Sequence, residues 1–213
     1  MIRRSPWWAA AALAGLMALS SGPLLAYQSE VESLKSEWES VTTELRGGER
    51  RDALSRLADQ AEALAGRHAN QAEVLVWQGI ILASYARERS GLGALGSARS
   101  ARDALERAVE LDPQGGNGSA YVTLGALYDR APGRPLGFGN SNTAEQMFQR
   151  ALEIRPDGID VNFYYAAFLH EEGRLDEARE HAQRAVEGEA RPDREASDEA
   201  LRVEARTLLS RLT

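Results

Sequence analysis

Gly91, Gly93 and Gly96 stand in the order G-x-G-x-x-G, a spacing that lets the pyrophosphate of a dinucleotide approach a helix N-terminus when a strand precedes it. The setting here is different. A dinucleotide-binding strand runs straight into its first glycine, whereas the polar stretch from Ala86 to Ser90 separates Gly91 from an apolar run over 74–85, long enough for about three helical turns. Nothing downstream supplies further strands, so Gly91 to Gly96 reads as an interhelical loop. His68, His170 and His181 form no H-E-x-x-H or other short metal-ligand pair, and each reads as a solvated or locally hydrogen-bonded histidine. Acids such as Glu171 and Glu172 alternate with arginines along helix faces, where i to i+4 pairs contribute only tenths of a kcal/mol, and no carboxylate pair stands out as acid and base. No serine occupies a G-x-S-x-G elbow. The absence of cysteine excludes disulfides, thiolate metal sites and a cysteine nucleophile, and Lys35 is the only lysine that could carry Schiff-base or Walker-type chemistry. The side chains therefore point to no cofactor, no metal and no catalysis, and the activity expected is binding.

With 213 residues, 43% of them hydrophobic and 27% charged, the chain suits one sizeable packed core rather than several large domains. Its 25 Lys and Arg against 32 Asp and Glu give a net charge of −7, which supplies no global basic field for a nucleic-acid backbone or an anionic membrane surface.

Arg3 and Arg4, the unbroken apolar run Trp7 to Leu19 and the small, turn-prone residues Ser20 to Ala26 read as a secretory signal peptide. The apolar run reaches about 20 Å as a helix, short of the roughly 30 Å of a bilayer's hydrocarbon core, which disfavours a permanent anchor. Cleavage is expected after Ala26, with Ser20 the competing site. Loss of residues 1–26 removes two arginines and no acid, taking the net charge from −7 to −9. Periplasmic location follows as the expectation, with membrane contact only through the uncleaved segment.

The remaining elements are organised by a repeat. Ala101, Leu105, Ala108 and Pro113 lie at offsets 0, 4, 7 and 12; Ala144, Phe148, Ala151 and Pro156 repeat them, and Ala178, Ala182 and Ala185 repeat the first three. Tyr121-x-x-Leu124-Gly125-x-x-Tyr128 precedes the second set, and Asn162-x-x-Tyr165-Ala166-x-x-Leu169 the third. This order resembles the tetratricopeptide repeat (TPR). Its implied fold is an all-α solenoid of antiparallel helix pairs in a right-handed superhelix.

The pattern has a packing cause. Neither helix of a pair can bury its apolar face alone, so stacked neighbours complete the core, and small residues mark where backbones approach to about 8–10 Å. Pro113 and Pro156 end their helices by breaking the hydrogen-bond ladder. Three repeats are expected over 71–192, with Val74, Trp77 and Ile81 on the opening helix and insertions in the loops around Gln114 to Gly118 and between Gly125 and Ala144. Residues 27–70 read as a degenerate hairpin, its first helix carrying Val31, Leu34, Trp38, Val41 and Leu45 and its second running from Asp52 to Ala65. Residues 193–213 read as a capping helix started by Ser197 or Asp198, with Leu201, Ala205, Leu208, Leu209 and Leu212 in one stripe.

Glu73 to Gly79, the Gly91 to Gly96 run, the loop Pro132 to Gly139 and Pro156 to Asn162 are similar to a family of exported bacterial TPR proteins over residues 70–212. The inserted Gly-rich loop before an Ala-x3-Phe helix is also similar to the periplasmic TPR component associated with TRAP-type transporters. These resemblances imply an adaptor or scaffold for another envelope protein, or, as the alternative, an accessory ligand-binding component of a TRAP-type transport system.

In TPR proteins the first helices line the concave groove. Carried over, this gives Leu75, Gly79 and Leu82 in the first repeat, Val122, Ala126 and Asp129 in the second, and Phe163, Ala167 and His170 in the third. Such a groove is mainly apolar and lacks the Lys, Asn and Arg set that clamps a peptide carboxylate in chaperone adaptors. It would take a partner helix, an extended peptide or an apolar small ligand. Residues 74–82 are apolar nearly all round, so burial beneath the N-terminal hairpin stands beside the groove as an alternative. The loop residues Arg130, Arg134, Phe138 and Asn140 are a second candidate contact, although Phe138 folding back onto the core is an equal alternative.

Overall fold

The computed structural model describes residues 22–212, with side chains from Tyr27 onward. The expected export segment lies outside the described residues, apart from 22–26, which begin the first helix. Among the described residues there are nine helices and no strand: α1 (Gly22–Glu44), α2 (Gly47–Arg67), α3 (Ala72–Arg87), α4 (Gly91–Leu111), α5 (Ser119–Arg130), α6 (Ser141–Ile154), α7 (Ile159–Glu171), α8 (Leu175–Glu187) and α9 (Glu195–Arg211).

The helices pair in chain order, α1 with α2, α3 with α4, α5 with α6 and α7 with α8, and α9 covers the last pair. Glycine sets the spacing inside two of these hairpins. A Cβ at Gly79 would overlap the fully buried Leu105 side chain, and one at Gly125 would lie 2.6 Å from Phe148, so α4 and α6 can sit close only because those two positions carry no side chain. Ala101, Ala108, Ala144, Ala151, Ala178, Ala182 and Ala185 are all fully buried, which is the second half of each repeat's close contact.

The odd-numbered helices form an inner layer. Along it α1 packs on α3, α3 on α5, α5 on α7 and α7 on α9, and α9 returns to α1, so the inner layer closes into a ring. The even-numbered helices form the outer layer. The N-terminal hairpin belongs to the same core as the repeat helices, since Val31, Leu34, Trp38 and Val41 are buried with Leu54, Leu57, Val74 and Trp77.

Three local expectations need correction. The stretch Gly91 to Gly96 is not a loop but the first turns of α4: Gly91 takes the left-handed conformation (φ 66°) after extended Ser90, and the chain turns there directly into helix. Leu92 is left 88% exposed on this extension. The second N-terminal helix begins at Gly47, not Asp52, because Gly47 makes the left-handed turn and the helix then starts at once. Neither Ser197 nor Asp198 caps the last helix, which begins at Glu195 and encloses both in its first turn. Asp198 is buried and accepts the backbone N–H of Arg191 at 2.9 Å, so its charge ties down the preceding turn as well as facing the helix N-terminus.

A chamber inside the helix ring

The inner layer encloses a chamber of about 960 Å³. Its α3 wall is Ile80, Ala83, Ser84 and Arg87, its α5 wall Val122, Thr123, Ala126 and Leu127, and its α7 wall Asp160, Phe163 and Tyr164. Trp38 and Thr42 of α1 close it from one side, with Arg194, Ser197, Ala200 and Leu201 at the start of α9. Leu92 and Leu95 of α4 and Pro132 and Leu136 of the loop after α5 border its mouth. Leu136 is 72% exposed, so two large apolar side chains flank the opening uncovered.

Four of the nine expected groove residues line the chamber: Val122, Ala126, Asp129 and Phe163. Leu75, Gly79 and Leu82 do not; they are buried in the stack, Leu75 and Leu82 in the core shared with the N-terminal hairpin and Gly79 against Leu105. Hence on α3 the chamber face is turned toward Ile80, Ala83, Ser84 and Arg87. Ala167 and His170 also lie off the chamber, on the remainder of α7. Burial raises the Asp129 carboxyl above its ordinary value, against the opposing pull of Arg130 at 3.2 Å.

The loop divides between two surfaces. Arg130 borders the chamber and reaches Glu171 at 3.5 Å. Phe138 folds back edge-on to Tyr128, with ring centroids 5.5 Å apart, beneath the Arg102 guanidinium at 4.7 Å. The Asn140 side chain accepts the Thr143 N–H at 2.9 Å, and so caps α6. Arg134 is exposed beside Phe138 in a separate cleft of about 650 Å³ that Arg99 and Arg102 also line.

A buried charge cluster lies where α7 meets α9. Asp160, fully enclosed, accepts both bonds of the Arg155 Nη2 at 2.7 and 2.8 Å and faces Arg191 Nη2 at 3.1 Å. Burial alone would raise its carboxyl, but the two guanidinium groups outweigh that and hold it below its ordinary value. Arg191 also pairs with Asp198 at 2.6 Å. Arg194 is the third arginine of the cluster and is bound differently. Its guanidinium carbon lies 4.6 Å from the Trp38 ring centroid and 5.2 Å from that of Trp77, and its buried Nε has no hydrogen-bond partner among the described residues. Burial and the neighbouring Arg191 lower its affinity for a proton. Trp38 and Trp77 meet where α1 packs on α3, whereas Arg194 carries no repeat signature and reaches them only because the ring closes between the two ends of the chain. No group of three or more metal-ligating side chains occurs among the described residues, and none of their helices is long and apolar enough to cross a membrane.

Residues 136–197 match the family model described as tetratricopeptide repeat. The fold is similar to that of a thermophilic TPR protein in Thermus thermophilus, with a TM-score of 0.56 at 18% identity over 88% of this chain and 93% of that one. MamA is also similar, with a TM-score of 0.47 at 20% identity over 78% of this chain and 86% of that one. No curated protein matches the chain.

Proposed function

We propose that this chain is a noncatalytic binding module of the bacterial cell envelope, an adaptor that holds a segment of another exported protein against the inner face of its helix ring. The observation that carries this reading is the chamber itself: a concave, mostly apolar wall built by the first helix of each pair, with uncovered Leu92 and Leu136 at its mouth. The TPR-type solenoid supports the coarse part, since such folds serve as interaction scaffolds. Export and periplasmic location rest on the N-terminal sequence pattern alone.

Capture from a periplasmic extract with the purified chain, compared with Ala126→Glu and Ala83→Glu, tests this reading. Both alanines are half-buried on the chamber wall, so a glutamate there changes the surface without opening the core. Loss of capture with unchanged helicity supports the reading; retention by both variants contradicts it. Val122 and Phe163 are poorer probes, since they are packed in core clusters and a glutamate there would test stability instead.

A second reading, an accessory ligand-binding component of a TRAP-type transport system, is favoured by one feature. The return of α9 to α1 limits the chamber to about 960 Å³, within the range of roughly 300–1,000 Å³ usual for small-molecule sites.

A further inference from the structure

We propose that the chamber binds a single-chain fatty carboxylate, with its head group on Arg194 and its alkyl chain along the apolar wall. This rests on the chamber being the working surface of the protein, and it names the chemistry of what the chamber holds.

Arg194 is the feature that selects an occupant. It is 9% exposed and lines the chamber, yet its buried Nε has no hydrogen-bond partner among the described residues. Of the acids around it, Asp160 is paired with Arg155 and Arg191 and Asp198 with Arg191, while Glu39 gives its Oε1 to the Ser197 N–H and keeps a buried Oε2 that has no hydrogen-bond partner among the described residues. Trp38 and Trp77 lie against the guanidinium, their ring centroids 4.6 and 5.2 Å from its central carbon. A guanidinium has five N–H donors and no acceptor, so what satisfies it must bring acceptors, and a planar carboxylate matches its fork.

The rest of the chamber sets the body of the ligand. Ile80, Leu95, Ala126, Leu127 and Leu201 give an apolar wall that a flexible alkyl chain can follow. At about 960 Å³ the chamber lies within the range of roughly 300–1,000 Å³ usual for small-molecule sites, which suits one alkyl chain.

Calorimetric titration of the full chain with hexadecanoate and with hexadecan-1-ol tests the proposal. Hexadecanoate is expected to bind one to one and at least about tenfold more tightly than the alcohol, which has the same chain and no charge. Arg194→Met should bring hexadecanoate down to the level of the alcohol, and Ala126→Trp, which places an indole on the chamber wall where the alkyl chain runs, should weaken both at least about tenfold. The comparison of the two ligands on the unaltered chain keeps the test decisive even where Arg194→Met fails to fold. Equal affinities, binding that Ala126→Trp leaves unchanged, or no binding of hexadecanoate overturns the proposal; the last leaves the chamber to a peptide. Should hexadecanoate fail to bind while Ala126→Glu still abolishes partner capture, the carboxylate assignment falls and the adaptor reading stands. Capture that persists in both Ala126→Glu and Ala83→Glu removes the adaptor reading itself.

Discussion

The Oε1 atom of Glu39 on α1 accepts the backbone N–H of Ser197 on α9 at 2.7 Å, joining two residues 158 positions apart. Beside it Lys35 pairs with Asp193 at 3.3 Å, and Arg194 rests on Trp38. These contacts turn an open stack of hairpins into a ring, because they make the two ends of the inner layer neighbours. A repeat array has contacts only between successive units; a closed ring adds contacts between the first and the last.

Opening that clasp should loosen both ends together. Glu39→Ala removes the acceptor of a first-turn N–H, at an expected loss of about 1–3 kcal/mol. Amide exchange read by mass spectrometry should speed up in α1 and in the first turns of α9, while α5 and α6 keep their protection.

Asp160 is the anchor of the buried cluster. Asp160→Asn leaves Arg155 enclosed without its counter-charge and Arg191 with Asp198 alone, and should lower stability by about 3–5 kcal/mol in urea denaturation. Its carboxyl is held below the ordinary value in the folded chain. Its stabilisation is therefore fully present above the unfolded-state value of about 3.9 and is lost as pH falls below that toward the folded-state value. The wild type should lose stability steeply below about pH 4, and Asp160→Asn should flatten that limb.

His181 adds a milder dependence at higher pH. The Nδ2 of Asn162 donates to the carbonyls of Pro156 and Gly158, so its Oδ1 accepts from His181 Nδ1 at 2.8 Å. Burial, with Arg184 nearby, lowers the imidazole's proton affinity in the folded chain. Stability from this group is full above the unfolded-state value of about 6.5 and declines as pH falls through the folded-state value. Ring NMR signals should report a midpoint below 6.5, and melting temperature should start to fall there.

Gly79 and Gly125 hold their positions for want of space. Gly79→Ala and Gly125→Ala gain about 1 kcal/mol of helix propensity but press a methyl group into Leu105 or Phe148, both at most 1% exposed. Overpacking of this kind costs about 1–3 kcal/mol, so both variants should melt at lower temperature than the wild type. A rise in melting temperature would show that the two helices can part without loss.

The repeat helices were legible because their signals are local: the Ala101, Leu105, Ala108 set and its copies state a period and a buried face at once. The lining of the candidate chamber was legible only in part. Val122, Ala126, Asp129 and Phe163 were reachable by carrying repeat positions across. On α3 that transfer misplaced the face, since residues 74–82 are apolar nearly all round and no polar stripe fixes the helix rotation. Gly91 to Gly96 misled because glycine marks a loop in sequence, while here one left-handed glycine suffices to turn the chain and the rest continue as helix. Arg194 had no local signature at all, because ring closure alone brings it to Trp38 and Trp77.

The most direct test of the account is site-specific photo-crosslinking in a periplasmic extract, with p-benzoylphenylalanine placed either at Ala126 on the chamber wall or at Glu110, exposed on outer helix α4. Binding through the inner face predicts a discrete adduct from position 126 that is missing from position 110 and disappears when Ala83→Glu is added. Adducts from position 110 alone, or equal adducts from both that Ala83→Glu leaves unchanged, would contradict it.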